Sequence, residues 1–292
     1  MNYGILVLTI LMLSVDFTVG ILLILAYYLI PSRFIDKPLA YLTEWLRSLH
    51  PNLISNIEGN IRKTFPIHIS HPIPEKSIQM WHPHGITAVS LGVHNAFRIT
   101  SEEFPKASPV VHFGFNMIPI ARDMLRQVDA VPSDYSSIKN ALKQKSVAIG
   151  LGGVEEMSKV NGKNLEFIIR KRKGIFKIAL ETGSPIVPVI SYGENEIFPE
   201  TENTFLKALN SNLYQLFKCK LPFPSFRSAY NWTRIMREPL EPIHTYTGKP
   251  IHVKKIDEPT EKDIKNLRDI YIASLEELFK QTNTGDYTLK II

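Results

Sequence analysis

The sequence predicts an α/β protein with a largely parallel sheet flanked by helices. Beyond residue 60, short apolar runs alternate with segments of helical periodicity, the order that builds such sheets. No internal repeat or low-complexity linker interrupts the alternation, so one catalytic unit is the economical reading of 292 residues that are 44% hydrophobic. Two of the apolar runs also stop abruptly at glycines or at a proline and a glycine, as strands do where a sheet edge opens toward a ligand.

Taken in order, the chain opens with an almost continuous apolar stretch from Tyr3 to Ile30, broken by Asp16 and a few small polar residues. Its Ile, Leu, Val and Phe residues, at roughly −0.3 to −0.6 kcal/mol each, outweigh a central Asp at about +3 kcal/mol, so insertion into a bilayer is expected. A tilted single span and a hairpin turning near Asp16 to Gly20 both fit the length. No basic n-region or small-residue cleavage site marks a signal peptide. Arg33, Lys37 and Arg47 follow, which places the remainder of a single-span chain in the cytosol. Leu39, Leu42, Trp45, Leu46 and Leu49 then recur at helical spacing, as in a helix lying in the membrane interface or packed on the domain. The expected organisation is a membrane anchor over 1–32, an amphipathic interfacial segment over 33–60 and a catalytic domain over 61–292.

Strands are expected near Lys76–Trp81, Pro109–Phe113, Ser146–Leu151, Pro185–Ser191 and Pro250–Ile256. Helices are expected near Thr87–Arg98, Ile118–Val128, Ser136–Gln144, Gly174–Thr182 and Pro259–Lys280. The last begins with a proline and acidic residues and carries Ile264, Leu267, Tyr271, Leu275 and Leu278 on one face.

Composition excludes several classes. A single cysteine, Cys219, allows no intramolecular disulfide and fits a cytosol-facing domain. The formal charge of +6 suits an anionic partner, but the basic residues are not interleaved with aromatics in runs, so no nucleic acid is expected; a phosphate-bearing small molecule or an anionic membrane fits better.

The chemistry concentrates at two strand ends. His82-Pro83-His84-Gly85 presents two imidazoles after the first apolar run, and Gly152-Gly153-Val154-Glu155-Glu156 follows the third. A His base beside an orienting Glu, with glycines exposing backbone N–H donors, suffices to activate a hydroxyl and stabilise an oxyanion at a thioester carbon. His82 can instead hold its turn by hydrogen bonding, Arg170-Lys-Arg-Lys173 can be a solvated basic loop, and His112 can line the pocket or sit in the core. The pair His82 and His84 also suits a divalent ion in a metal-dependent hydrolase, which would need further ligands at later strand ends.

These segments resemble the type 2 diacylglycerol acyltransferase family, which includes monoacylglycerol and wax-alcohol acyltransferases. The resemblance runs from about Ile78 to about Phe279, on Trp81-His-Pro-His-Gly85, the Gly152–Glu156 turn, Arg172-Lys-Gly-Ile-Phe-Lys-Ile-Ala-Leu180, Gly183-Ser-Pro-Ile-Val-Pro-Val-Ile-Ser-Tyr-Gly-Glu-Asn-Glu196 and Gly248-Lys-Pro-Ile251. It implies a glycerolipid-acyltransferase-like fold and an endoplasmic reticulum membrane enzyme, with lipid droplets as a second location. The implied reaction moves a fatty acyl group from acyl-CoA, a co-substrate with no other cofactor, to the hydroxyl of a neutral lipid. Diacylglycerol is the expected acceptor, monoacylglycerol or a wax alcohol the alternative. A non-catalytic lipid-droplet protein on the same scaffold is a further reading, disfavoured by the retention of His84 and Glu156. A homo-oligomer is compatible with the chain.

The resemblance implies His84 as the base, with His82 beside it. An Asp four residues after the catalytic His orients it in the broader glycerolipid acyltransferases; Ile86 and Ala88 stand there after the two histidines, so Glu156 is expected to take that role and Glu155 to be a bystander. Gly85, Gly152, Gly153, Arg172, Lys173, Gly174, Glu194 and Asn195 are the expected substrate-binding residues. Arg268 and Asp123 depart from the family's usual His and Glu.

Overall fold

A computed structural model of the chain describes residues 48, 51–86, 88–97, 104–112, 125–157, 159, 162–217, 220–221 and 223–292. The expected anchor, the Leu39–Leu49 helix, Asp123 and most of the Ile118–Val128 helix lie outside them. Among the described residues, no helix is long and apolar enough to cross a membrane.

In chain order the elements are α1 (Pro51–Thr64), β1 (Ile67–Ile69), β2 (Ile78–His82), α2 (Val89–Leu91) continued by a π turn over Gly92–Phe97, β3 (Ala107–Val111), β4 (Val131–Pro132), α3 (Tyr135–Ala141), β5 (Ser146–Gly150), α4 (Gly153–Met157) and β6 (Asn164–Phe167). There follow α5 (Gly174–Thr182), β7 (Ile186–Tyr192), α6 (Glu194–Ile197), α7 (Thr204–Phe217), α8 (Phe226–Arg234), β8 (His244–Thr247), α9 (Glu261–Thr282) and β9 (Thr288–Ile291).

Seven strands form one sheet in the order β1-β8-β7-β2-β5-β3-β4, parallel except where β8 runs against β7. The central strands β2 and β7 are buried at every residue, so both faces are covered, as the parallel arrangement requires. On one face α3, α5 and α9 pack over a core of Ile78, Met80, Val147, Phe167, Phe176, Ile186 and Tyr271. Helix α9 turns its predicted apolar stripe inward: Ile264, Leu267, Tyr271, Leu275 and Leu278 are all buried, and a capping box between Thr260 and Asp263 satisfies its first turn.

One expected strand is not there. Pro250–Ile256 contributes only an isolated bridge from Ile251 to Ile186, and the strand beside β7 is β8 instead. The chain leaving β8 keeps following β7, but Pro188 and Pro250 both lack the N–H a ladder needs, so pairing lapses after Thr247. The segment expected to be the Thr87–Arg98 helix starts at Val89, after Ala88 in the left-handed region, and finishes as a π turn. Strands β6 and β9 pair apart from the main sheet and bring the C-terminal residues onto the chain just before Arg170: the Ile169 and Arg170 amides both donate to the Ile292 carbonyl.

Candidate active site

The β2–β5 ladder ends with Trp81 opposite Gly150, which sets His84 above the C-terminal end of β5. An added Cβ on Gly150 would stand 2.8 Å from His84 Cδ2, so the imidazole lies directly on the glycine's backbone. His84 Nδ1 is 3.0 Å from the Gly85 carbonyl oxygen. A carbonyl only accepts, so Nδ1 carries the proton and Nε2 keeps its lone pair. Burial pushes the His84 imidazole below its ordinary range and the nearby Arg172 cation pushes the same way, against the Gly85 bond. The ring is therefore neutral near pH 7, the state a general base needs.

The Glu156 carboxylate meets the main chain of His84, not its ring. Oε1 accepts from the His84 backbone N–H at 2.6 Å and Oε2 from that of Ile168 at 3.1 Å, tying the β2 turn to the end of β6. This corrects the expectation that Glu156 orients the imidazole: Gly85 does that, and Glu156 fixes the backbone from which the imidazole projects. Desolvation outweighs both bonds and pushes the Glu156 carboxyl up to about 7. Gly152 must be a glycine here, because its Cβ would fall 1.7 Å from Glu156 Oε2.

For His82 the contacts match the alternative of a residue that holds its turn. It is buried at the end of β2 with Nε2 2.8 Å from the Tyr271 hydroxyl and its ring stacked on Phe167, and burial lowers its imidazole to about 3. A base so placed holds the turn on α9. It does not line the cleft described next.

His84 lines a cleft of about 690 Å3 with an apolar wall that includes Val110, Ile138, Ile149, Leu151, Ile175 and Ile178. Lys171, Arg172, Lys173 and Gly174 line its basic side at the start of α5, and Gly153, Glu155 and His112 complete its floor. Of the expected substrate residues, Gly153, Arg172, Lys173 and Gly174 are thus brought together. Arg172 donates to the Gly152 carbonyl and stands 3.6 Å from Glu155, while Lys173 pairs with Glu261 at 2.7 Å. Glu155 also accepts from the Tyr214 hydroxyl at 2.9 Å.

Glu194 and Asn195 lie elsewhere. The Glu194 carboxylate accepts from the Val89 and Ser90 amides at 2.7 and 3.1 Å, closing the first turn of α2 and resting against Gly85, where a φ of +53° and a 3.1 Å clearance would strain any larger residue. Asn195 lines a separate cavity of about 500 Å3 with Glu200, Lys207, Asn210 and Lys220. Tyr214 borders both cavities, a residue that nothing in the local sequence marks.

The sequence profile of diacylglycerol acyltransferases matches residues 11–289. The chain belongs to the diacylglycerol acyltransferase family. It is 29% identical over 220 residues to 2-acylglycerol O-acyltransferase 1 of Homo sapiens, covering 71% of this chain and 65% of that protein. It is 30% identical over 235 residues to diacylglycerol O-acyltransferase 2 of Dictyostelium discoideum, covering 75% and 70%. The chain thus spans about two thirds of the length of these relatives. The solved 1-acyl-sn-glycerophosphate acyltransferase of Thermotoga maritima aligns over 97% of the chain and 95% of its own at 12% identity and a TM-score of 0.47.

In this diacylglycerol acyltransferase family member Ala88 stands four residues after His84, and the Gly85 carbonyl meets the His84 ring while Glu156 meets its backbone. Arg268 donates to the Arg170 carbonyl and so braces the basic loop from α9. Among the described residues, no three His, Cys, Asp or Glu side chains are grouped to hold a metal ion.

Proposed function

We propose that this protein transfers a fatty acyl group from acyl-CoA to the hydroxyl of a neutral lipid, diacylglycerol first, at His84. The carrying observation is a neutral imidazole whose Nδ1 is committed to the Gly85 carbonyl and which lines a cleft apolar on one side and basic on the other. An acyl chain suits the isoleucine wall; Lys171, Arg172 and Lys173 suit the CoA phosphates. Nε2 takes the proton of the acceptor hydroxyl as its oxygen attacks the thioester carbon. The tetrahedral oxyanion then collapses with cleavage of the C–S bond, and the thiolate of CoA leaves with the imidazolium proton. Chain order and charge support the setting: the apolar 1–32 segment followed by Arg33, Lys37 and Arg47 fits an endoplasmic reticulum anchor with the cleft facing the cytosol.

Membranes bearing the protein, incubated with labelled acyl-CoA and diacylglycerol, monoacylglycerol or a long-chain alcohol, should form labelled triacylglycerol with the first acceptor. His84→Ala should abolish the product in folded protein. Product from the other acceptors alone would keep the chemistry and change the acceptor; full activity in the His84 variant would reject the site.

A further inference from the structure

Helix α8 is built inside out. An amphipathic helix on a water-facing surface buries its apolar side chains and exposes its polar ones. Here Ser228 and Asn231 are buried and donate to the Pro199 and Ile197 carbonyls at 2.6 and 2.8 Å. Phe226 is 89% and Tyr230 53% exposed, and Trp232, although its ring packs near Phe198 with centroids 4.9 Å apart, and Met236, just past the helix, are 39% and 41% exposed. Helix α7 has the same inversion: Phe205 is 73% and Leu216 75% exposed, while Asn210 is buried and exchanges hydrogen bonds with the backbone of Leu221. Such a surface is favoured where the outer medium is less polar than water.

Charge identifies the medium. From Asn203 to Arg237 the chain contains Lys207, Lys218, Lys220, Arg227, Arg234 and Arg237 and no Asp or Glu, Glu202 and Glu238 flanking the stretch and Arg234 pairing with Glu238 at 2.5 Å. Aromatic rings bordered by arginines and lysines match the headgroup level of a bilayer with anionic lipids. The inner side of α7 also belongs to the site: Tyr214 borders the His84 cleft, and Lys207, Asn210, Ser211 and Tyr214 line the adjoining cavity.

We infer that α7 and α8 dock on the surface of an anionic bilayer, seating the mouth of the cleft where a neutral lipid can pass from the membrane without entering water. The docking face is distinct from the apolar residues 1–32. Its role in delivering the acceptor rests on the acyl-transfer reading above; the docking itself does not.

The test uses the full chain with Cys219→Ser, reconstituted in vesicles of phosphatidylcholine and phosphatidylserine. Phe226→Cys or Tyr230→Cys is labelled with an environment-sensitive fluorophore, with Ile270→Cys, on the exposed side of α9, as the control. Docking predicts blue-shifted emission at 226 and 230 that is quenched by spin-labelled lipid, and neither change at 270. Water-like emission at 226 and 230 would overturn the inference. So would a blue shift without lipid quenching, meaning that another part of the chain covers the face, or one that depends on protein-to-lipid ratio, meaning that a second copy does. These readouts need no turnover, so they stand even if no acyl transfer is found. In active protein, Phe226→Asp with Tyr230→Asp should raise the bilayer concentration of acceptor needed for half-maximal rate about tenfold and leave the acyl-CoA requirement unchanged; equal effects on both substrates would reject the delivery role.

Discussion

Gly150 acts through what it lacks. Because its missing side chain is the seat of the His84 ring, Gly150→Ala must displace the imidazole from the position that β5 defines for it. A shift near 1 Å at a reacting atom costs on the order of a hundredfold in rate, so turnover should fall that far in assays on folded protein while the unfolding midpoint changes little. Unchanged turnover would mean that the observed ring position is not the reacting one. Glu156 has a different signature. Its carboxyl is raised from an ordinary 4.5 to about 7, so between these values the native state holds a proton that the unfolded chain has released. Stability therefore falls as pH rises through that window, by about 3 kcal/mol at most for this group. Glu194, also raised to about 7 by burial, contributes in the same direction. Glu156→Gln keeps an oxygen for the His84 amide but turns an N–H group toward the Ile168 amide. Urea unfolding between pH 5 and 7.5 should show a shallower loss of stability in this variant than in the wild type. Equal slopes would place the titration elsewhere.

At the scale of elements, the His82–Gly85 turn is clamped from below by α9. The Tyr271 hydroxyl partners Nε2 of buried His82, whose Nδ1 has no partner among the described residues. Tyr271→Phe leaves that imidazole without a hydrogen bond, which costs about 1 to 3 kcal/mol. The loss should appear in the unfolding free energy, with turnover per folded molecule reduced far less. A variant of unchanged stability but lost turnover would return His82 to the chemistry. The two loops that meet at His84 are joined in the same economical way, by carboxylates accepting backbone amides: Glu156 bridges β2 to β6 and Glu194 bridges α6 to α2. Side-chain caps of this kind let short, glycine-bearing turns hold a fixed shape without a long helix behind them.

At the scale of the molecule, among the described residues the lining of the cleft lies at or beyond His84 and the buried core clusters begin at Ile61. Removing residues 1–32 should therefore leave the sheet, the cleft and their circular dichroism intact in detergent, with acyl-CoA binding preserved. Loss of the folded signal would show that the apolar segment packs into the domain. The truncated protein should still sediment partly with membranes; complete release would argue against both the Leu39–Leu49 segment and the α7–α8 face as interfacial elements.

Much of this protein was legible from order alone. Alternation of apolar runs and helical periods determined the α/β class, and the turn residues after two of those runs marked His84 and the Gly152–Glu156 segment before any geometry was known. The stripe Ile264, Leu267, Tyr271, Leu275 and Leu278 likewise named the buried face of α9. Local pattern carries such information because strand and helix periods and tight-turn chemistry depend on neighbours in sequence. Which group a side chain meets depends on distant chain. Glu156 and His84 are 72 residues apart, and only the β2–β5 register decides that the carboxylate reaches an amide and leaves the ring to Gly85. Spacing equally could not separate Glu194 from the cleft, bring Tyr214 to it, or bury His82 two residues from His84. A two-residue step along the chain carries the backbone from the last rung of the sheet into the open turn, and tertiary packing assigns one imidazole to the core and the other to the cleft.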